Sequence, residues 1–133
     1  MSQSNEFYTA QLYIPVNSAT AGNLDDLFCV NRLGGKAQVT AVDYVSDGGV
    51  TANDSNNKTF TASVAGVSIG AMTTSTSGTG TIADGGVASI TLSAAGSNLV
   101  AEGGAVKVAI TKTGSGVAVA GTLAVTMQRV RAD

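Results

Sequence analysis

The side chains that could perform acid–base chemistry in this chain of 133 residues are a few carboxylates in polar surroundings. Asp43, Asp47 and Asp54 fall within one predicted strand and the loop after it, while Asp84 and Glu102 each precede a glycine pair. A catalytic carboxylate needs an apolar pocket or a close charged partner to shift its pKa. Because all of them but Asp43 lie beside Gly, Ser or Asn, turn chemistry is the preferred interpretation.

A second group of oxygen donors could bind a hard cation such as Ca²⁺. The run Asn53-Asp54-Ser55-Asn56-Asn57 offers several oxygens in one loop, and Asp47 lies nearby. The ligand spacing of an EF-hand is missing, however, and no closing Glu follows. We therefore interpret this segment as a hydrated turn, and the sequence predicts neither a metal site nor a cofactor.

The counts of histidine and cysteine restrict the chemistry further. With no His in the chain, histidine general bases, Ser-His-Asp and Cys-His systems and His-ligated metals are excluded. The single cysteine, Cys29, cannot form an intrachain disulfide or a multi-thiolate cluster, and we expect it to be a small core side chain. We therefore predict that the protein is not an enzyme.

Charge and hydropathy limit the partners and the location. The net charge is −2, and the seven basic residues form no run that could neutralise a row of phosphates, so no nucleic-acid partner is expected. No apolar run is long enough to span a bilayer, and Met1–Glu6 is polar without a basic segment leading into an apolar one. We expect a protein made in a reducing cytoplasm, without a membrane partner.

The elements that must position these residues are strands. Half of the chain is Ala, Gly, Ser or Thr, and apolar residues alternate with polar ones in several segments. In the first segment, for example, Ala10, Leu12 and Ile14 alternate with Thr9, Gln11 and Tyr13. Such alternation is typical of strands with one buried face. We predict an all-β protein: an antiparallel β-sandwich or jelly roll of about seven or eight strands, forming a single domain over residues 1–133 with residues 1–6 as a polar N-terminal arm.

Glycines indicate the turns between these strands. Leu33-Gly34-Gly35-Lys36 predicts a two-residue hairpin between segments 27–32 and 37–46, and Thr113-Gly114-Ser115-Gly116 predicts a longer hairpin joining the last two strands. Segments 46–58, 71–86 and 94–104 are predicted as long loops. The stretch 23–28 could begin a helix, since Asn23 is a capping residue followed by two acidic ones, and a polar turn into a strand is the competing interpretation.

The first strand suggests a protein contact. Its second face has two aromatic residues, Phe7 and Tyr13, which are exposed if only one face of the strand is covered. A loop of the same chain could cover them instead, and the sequence does not decide between the two. The predicted interface residues are Phe7 and Tyr13 together with Arg129 and Arg131 of the tail, two charges that are too few for a nucleic-acid surface.

Five segments in this order form a recognisable pattern: Phe7–Val16, Leu27-Phe28-Cys29-Val30, Ala37–Val42, Thr59–Val64 and Val125-Thr126-Met127-Gln128-Arg129-Val130. Their order resembles small jelly-roll or β-sandwich proteins of tailed-bacteriophage virions, and capsid decoration (cement) proteins in particular. The resemblance extends over nearly the whole chain and is one of general pattern, without a diagnostic motif.

The resemblance implies a protein synthesised in the infected host and located on the outer surface of the virion capsid. It implies a homotrimer or similar assembly bound to the major capsid protein, where it stabilises the head. Two other classes stay open: a receptor-binding, head-fibre or adhesin-type module, and a tail-tube or neck component. No functional residue of the family can be matched in this chain.

Overall fold

The structure, a computed structural model, describes residues 7–14, 24–93 and 98–130. These residues form nine strands and no helix, in agreement with the predicted all-β class. The predicted N-terminal arm, residues 1–6, lies outside the described residues. The strands are β1 Phe7–Ile14, β2 Leu24–Val30, β3 Ala37–Ser46, β4 Asn57–Val64, β5 Val67–Thr73, β6 Val87–Ser89, β7 Leu99–Val100, β8 Ala105–Thr113 and β9 Gly121–Arg129.

The strands form two antiparallel sheets. Sheet A has the order β1-β9-β3-β6, and β7 also pairs with β3; sheet B has the order β2-β8-β4-β5. Apart from the two-residue β7, which lies in a segment predicted as loop, the pairing is nested: β1 with β9, β2 with β8, β3 with β6 and β4 with β5. Such nesting rolls a long hairpin into two sheets, which is the connectivity of a jelly roll.

The apolar side chains that alternate along the strands point inward and pack between the two sheets. From sheet A, Val42, Leu123 and Val125 are fully buried, and from sheet B, Phe60 and Ile110 are fully buried in the same hydrophobic cluster. The rings of Tyr44 and Phe60 meet across the sheets, with centroids 4.9 Å apart. A strand with small or polar residues on every second position can bury only one face, so both outer faces of the sandwich are left to solvent.

Both predicted glycine hairpins are wrong. Loop 31–36 joins β2 of sheet B to β3 of sheet A, and loop 114–120 joins β8 of sheet B to β9 of sheet A. Glycine does turn the chain at these places, but the buried faces on both sides require the next strand to cross to the opposite sheet. The tight hairpin of the described residues joins β4 and β5, through Ala65 and Gly66 with φ of 51° and 82°.

Two other local expectations are corrected. Segment 24–30 is strand β2, because Leu27 and Cys29 pack towards the core while its backbone pairs with β8; the helical interpretation of residues 23–28 is therefore wrong. The predicted loop 71–86 begins later than expected, since β5 continues to Thr73 against Thr59 of β4. An isolated bridge between Val50 and Ile82 also ties loops 47–56 and 74–86 together.

The loops fall at two opposite ends of the sandwich, along the direction of the strands. We call the end with loops 31–36, 65–66 and 101–104 the Asn31 end, and the end with loops 47–56, 74–86 and 114–120 the Asp47 end. At about 3.3 Å per residue, the ten residues of β3 separate the two ends by about 30 Å.

Candidate functional site

Tyr13, one of the predicted interface residues, is 65% exposed on the outer face of sheet A. The register places it opposite Thr122 of β9, and Thr122 opposite Val45 of β3, which in turn is opposite Val87 of β6. Val87 is 61% exposed and Val45 is 36% exposed. Since directly opposite residues have Cβ atoms about 5 Å apart, these four side chains form one continuous row across the sheet.

We call Tyr13, Thr122, Val45 and Val87 the apolar row. The next row towards the middle of the sheet is polar, with Ser89 donating to the Asp43 carboxylate at 2.6 Å. Three exposed apolar side chains in line are more than a solvated sheet face requires, and contiguous apolar surface is a mark of contact sites. The apolar row lies beside the Asp47 end, one rung from the last pair of sheet A, Ser46 and Gly121.

The other predicted interface residues are placed differently. The backbone of Phe7 pairs with Gln128, six residues and about 20 Å along β1 from Tyr13, and its side chain lies outside the described part. Arg129 packs on the Gly34–Gly35 turn of its own chain, with its Nη2 3.5 Å from the Gly34 carbonyl oxygen. Arg131 lies outside the described residues, so its interface role stays a prediction.

Val45 and Val87 were missed by the sequence analysis, and β3 shows why. Its pairing with β9 shifts register between Val39 and Ala41, leaving Thr40 as an extra residue. This bulge turns Tyr44 into the core and Val45 to the outside, the reverse of strict alternation from Val39. The exposure of Val87 could have been predicted from the sequence, because Val87 and the polar Ser89 are two residues apart and therefore lie on the same side of their strand.

The Asn31 end is organised by a fully buried asparagine. The side-chain amide of Asn31 donates to the carbonyl oxygens of Gly35, Val100 and Ala101 at 2.9, 3.0 and 3.2 Å, and its Oδ1 accepts from Leu33 N–H at 3.0 Å. One side chain therefore joins loop 31–36 to β7 and to loop 101–104. Nothing in the sequence distinguished it from other polar loop residues.

Two of the carboxylates considered for acid–base chemistry, Asp54 and Asp84, are engaged in turns. Asp84 accepts from Gly48 N–H at 2.9 Å, so the fold brings it next to the Asp47 segment, a proximity that the sequence did not predict. Asp54 accepts from both N–H and Oγ1 of Thr76 at 2.8 Å, and these hydrogen bonds hold its pKa below the usual value. Asp54 and Asp84 are each paired with a turn, which is a structural use of a carboxylate.

In the oxygen-rich loop, Asn53 Oδ1 accepts from Ser55 N–H and Asn56 N–H at 2.9 and 2.7 Å, and Asn56 Oδ1 accepts from Ser115 N–H at 2.8 Å. Oxygens that already accept backbone protons have less capacity left for a cation. Within the described ranges, no three His, Cys, Asp or Glu side chains group together in a way that could hold a metal ion.

Among the residues whose burial the structure describes, three titratable groups lie inside the sandwich. Cys29 is 3% exposed, as predicted for a core side chain, and burial raises its pKa. Burial also raises the pKa of Tyr44, whose hydroxyl donates to the Ala120 carbonyl at 2.6 Å. Lys58 is fully buried, and desolvation lowers its pKa. They lie on three different strands, β2, β3 and β4.

Surface grooves lie at two places on the described part of the sandwich. One, of about 640 Å³, lies between the edge strands β5 and β6, and hydroxyl side chains dominate its wall: Thr73, Ser75, Ser77, Thr79, Ser89 and Thr91. The other, of about 520 Å³, lies at the Asn31 end. We call it the apolar groove, because its wall includes Phe28, Val64, Leu99, Val100 and Ala101, with Lys107 at its side.

Comparisons with protein-family models, with curated protein sequences and with solved structures found no match to this chain. Among the residues that the structure describes, there is no helix with the length and hydropathy needed to cross a membrane. The fold and the surfaces above are therefore the basis for a functional proposal.

Proposed function

We propose that this chain is a structural virion protein that decorates the outer surface of a bacteriophage capsid and stabilises the head. It acts as a homo-oligomer, a homotrimer in the simplest case, bound to the major capsid protein after synthesis in the host cytoplasm. The observation that carries the structural role is the apolar row, because exposed apolar side chains aligned across a polar sheet face favour a protein contact.

The composition supports a role in repeated contacts. Both sheets have outer faces rich in Thr, Ser and Ala, such as Thr59, Thr73 and Thr111 on sheet B, and these present small side chains for close approach. Weak contacts become effective when a lattice holds many copies, since each additional contact is then intramolecular. The assignment to a bacteriophage capsid rests on the resemblance in the strand order described under Sequence analysis.

The decisive test is to purify intact particles from infected cells and to measure the copy number of this chain by quantitative mass spectrometry. A decoration protein is expected at hundreds of copies per particle, and its loss is expected to lower the temperature at which heads release DNA. A copy number of a dozen or fewer would instead assign the chain to a tail or vertex, and no copies at all would refute the proposal.

A second candidate, an adhesin-type module, is favoured by the hydroxyl-lined groove between β5 and β6. Six uncharged hydroxyl side chains in an open groove suit a neutral polyol such as a saccharide, although the described wall offers no aromatic ring for stacking. A glycan array decides between the two: reproducible binding that is lost in Ser89→Ala and Thr91→Val would favour the adhesin, and no binding favours the decoration protein.

A further inference from the structure

We propose that copies of this chain associate head to tail, with the Asp47 end of one copy docked on the Asn31 end of the next. The inference rests on the proposed function, since it specifies how the copies of a shell protein contact each other. Its basis is that the two ends carry different and mutually complementary surfaces, so that each end fits a second copy of the same chain better than it fits its own equivalent.

The first complementarity is apolar. The apolar row projects from sheet A beside the Asp47 end, with Tyr13 as its largest side chain. The apolar groove lies at the opposite end, and its wall includes Phe28, itself 57% exposed. A groove of about 520 Å³ is large enough for an aromatic side chain and one or two valines. Docking the row into the groove removes both apolar surfaces from water at once.

The second complementarity is electrostatic. At the Asp47 end, the carboxylates of Asp47, Asp54 and Asp84 lie on exposed residues, with one exposed lysine, Lys112, at the end of β8. Among the described residues of the Asn31 end, the positive charges of Arg32, Lys36 and Arg129 outnumber the carboxylate of Glu102. Among the solvent-accessible charges of the described loops and strand ends, carboxylates thus predominate at the Asp47 end, which also holds the buried Lys58, and cations predominate at the Asn31 end. Complementary potentials guide association and disfavour contacts between like ends.

This segregation restricts the symmetry. A two-fold dimer that pairs like ends would oppose like charges, whereas an antiparallel two-fold dimer would pair unlike ends twice and would have the mass of a dimer, not of a ring. A head-to-tail contact is heterologous, and repeated copies close into a ring when the rotation between neighbours permits it. A ring of three is the smallest such closure, so the contact is compatible with the homotrimer of the proposed function.

The test uses sedimentation velocity of the full chain over a concentration series, in low salt and in 1 M NaCl. We expect Asp47→Lys and Lys36→Glu each to weaken self-association at least tenfold, and Glu102→Lys to strengthen it, because Glu102 is the one negative charge described at the positive end. Tyr13→Ser is expected to weaken association at least tenfold in both salt conditions. Thr61→Ser, a half-buried residue at mid-strand on the outer face of sheet B and outside both surfaces, is the control.

A double variant distinguishes the head-to-tail contact from a contact between like ends. Asp47→Lys combined with Lys36→Glu in one chain restores association, because every reversed Asp47 end then meets a reversed Asn31 end in a ring of any size. If only one of the two single variants weakens association and the double variant restores nothing, the copies contact each other through like ends and the inference is overturned. Circular dichroism of each variant establishes that it is folded before its mass is interpreted.

The outcomes also separate this inference from the proposed function. A wild-type chain that is monomeric at every concentration, yet present in hundreds of copies on particles, refutes the head-to-tail contact and leaves the capsid role intact. A chain that associates as described, but is found on no particle, refutes the capsid role alone. Association that Tyr13→Ser leaves unchanged overturns the assignment of the apolar row.

Discussion

Replacing Asn31 by alanine removes the connection that holds the Asn31 end together. Its side chain donates to Gly35, Val100 and Ala101 and accepts from Leu33, but an amide group has only two protons for the three carbonyls. About three net hydrogen bonds are therefore lost in a fully buried site. At roughly 1 kcal/mol each, and with carbonyls left unpaired, Asn31→Ala should lower the free energy of unfolding by about 3 kcal/mol.

The assay is guanidinium denaturation followed by circular dichroism, because the chain has no tryptophan to report by fluorescence. A loss of about 3 kcal/mol corresponds to a decrease in Tm of roughly 10 °C for a domain of this size. Asn53→Ala is the control, since the Asn53 side chain makes two hydrogen bonds in an exposed turn and should cost less than about 1 kcal/mol. If the two variants lose the same stability, Asn31 does not organise this end and the reasoning is wrong.

Three further substitutions test other parts of the structure. Ala65→Asn should raise stability by about 1 kcal/mol in thermal unfolding, because Ala65 has positive φ next to Gly66 and Asn tolerates that conformation; a lower Tm would contradict this. Gly121→Ala should lower the free energy of unfolding by about 3 kcal/mol or more, as measured by denaturant titration. Gly121 has φ of 136°, and an added Cβ would overlap the Val45 carbonyl. Unchanged stability would show that the strand can shift without penalty. Asp54→Asn should flatten the pH dependence of the free energy of unfolding below about pH 4. The pKa of Asp54 is lower in the folded protein than its ordinary value of 3.8, so the carboxylate stabilises the fold above that pH and this stability is lost as the pH falls. A variant with the same acid profile as the wild type would exclude this contribution.

Local alternation predicted the strands well, because it depends on neighbours in the chain. Ala10, Leu12 and Ile14 face inward and Tyr13 faces outward as the sequence indicated, and Cys29 lies in the core. The glycine turns were located correctly but given the wrong partners. A glycine pair reports that the backbone reverses, and it contains no information about which sheet receives the next strand.

The candidate contact surface could be predicted only in part, for a physical reason. The apolar row joins residues from four strands that are far apart in sequence, and its alignment depends on the register of each pair. The bulge at Thr40 then changes which residues of β3 face outward, and a single extra residue leaves no mark in composition. Tyr13 could be identified from the sequence, because it is a large aromatic residue on a strand face that also has Thr9 and Gln11. Val45 could be recognised as part of the same surface only once the pairing of the strands was known.

The nested pairing of the strands has a consequence for how the protein is made. In the described structure β8 lies between β2 and β4, and β9 lies between β1 and β3, so each sheet receives one of its two inner strands from the last quarter of the chain. A nascent polypeptide on the ribosome therefore exposes the apolar faces of its early strands until residue 129 has left the exit tunnel. Such non-local topologies fold slowly, and the interval between translation and completion is when aggregation during expression is most to be expected.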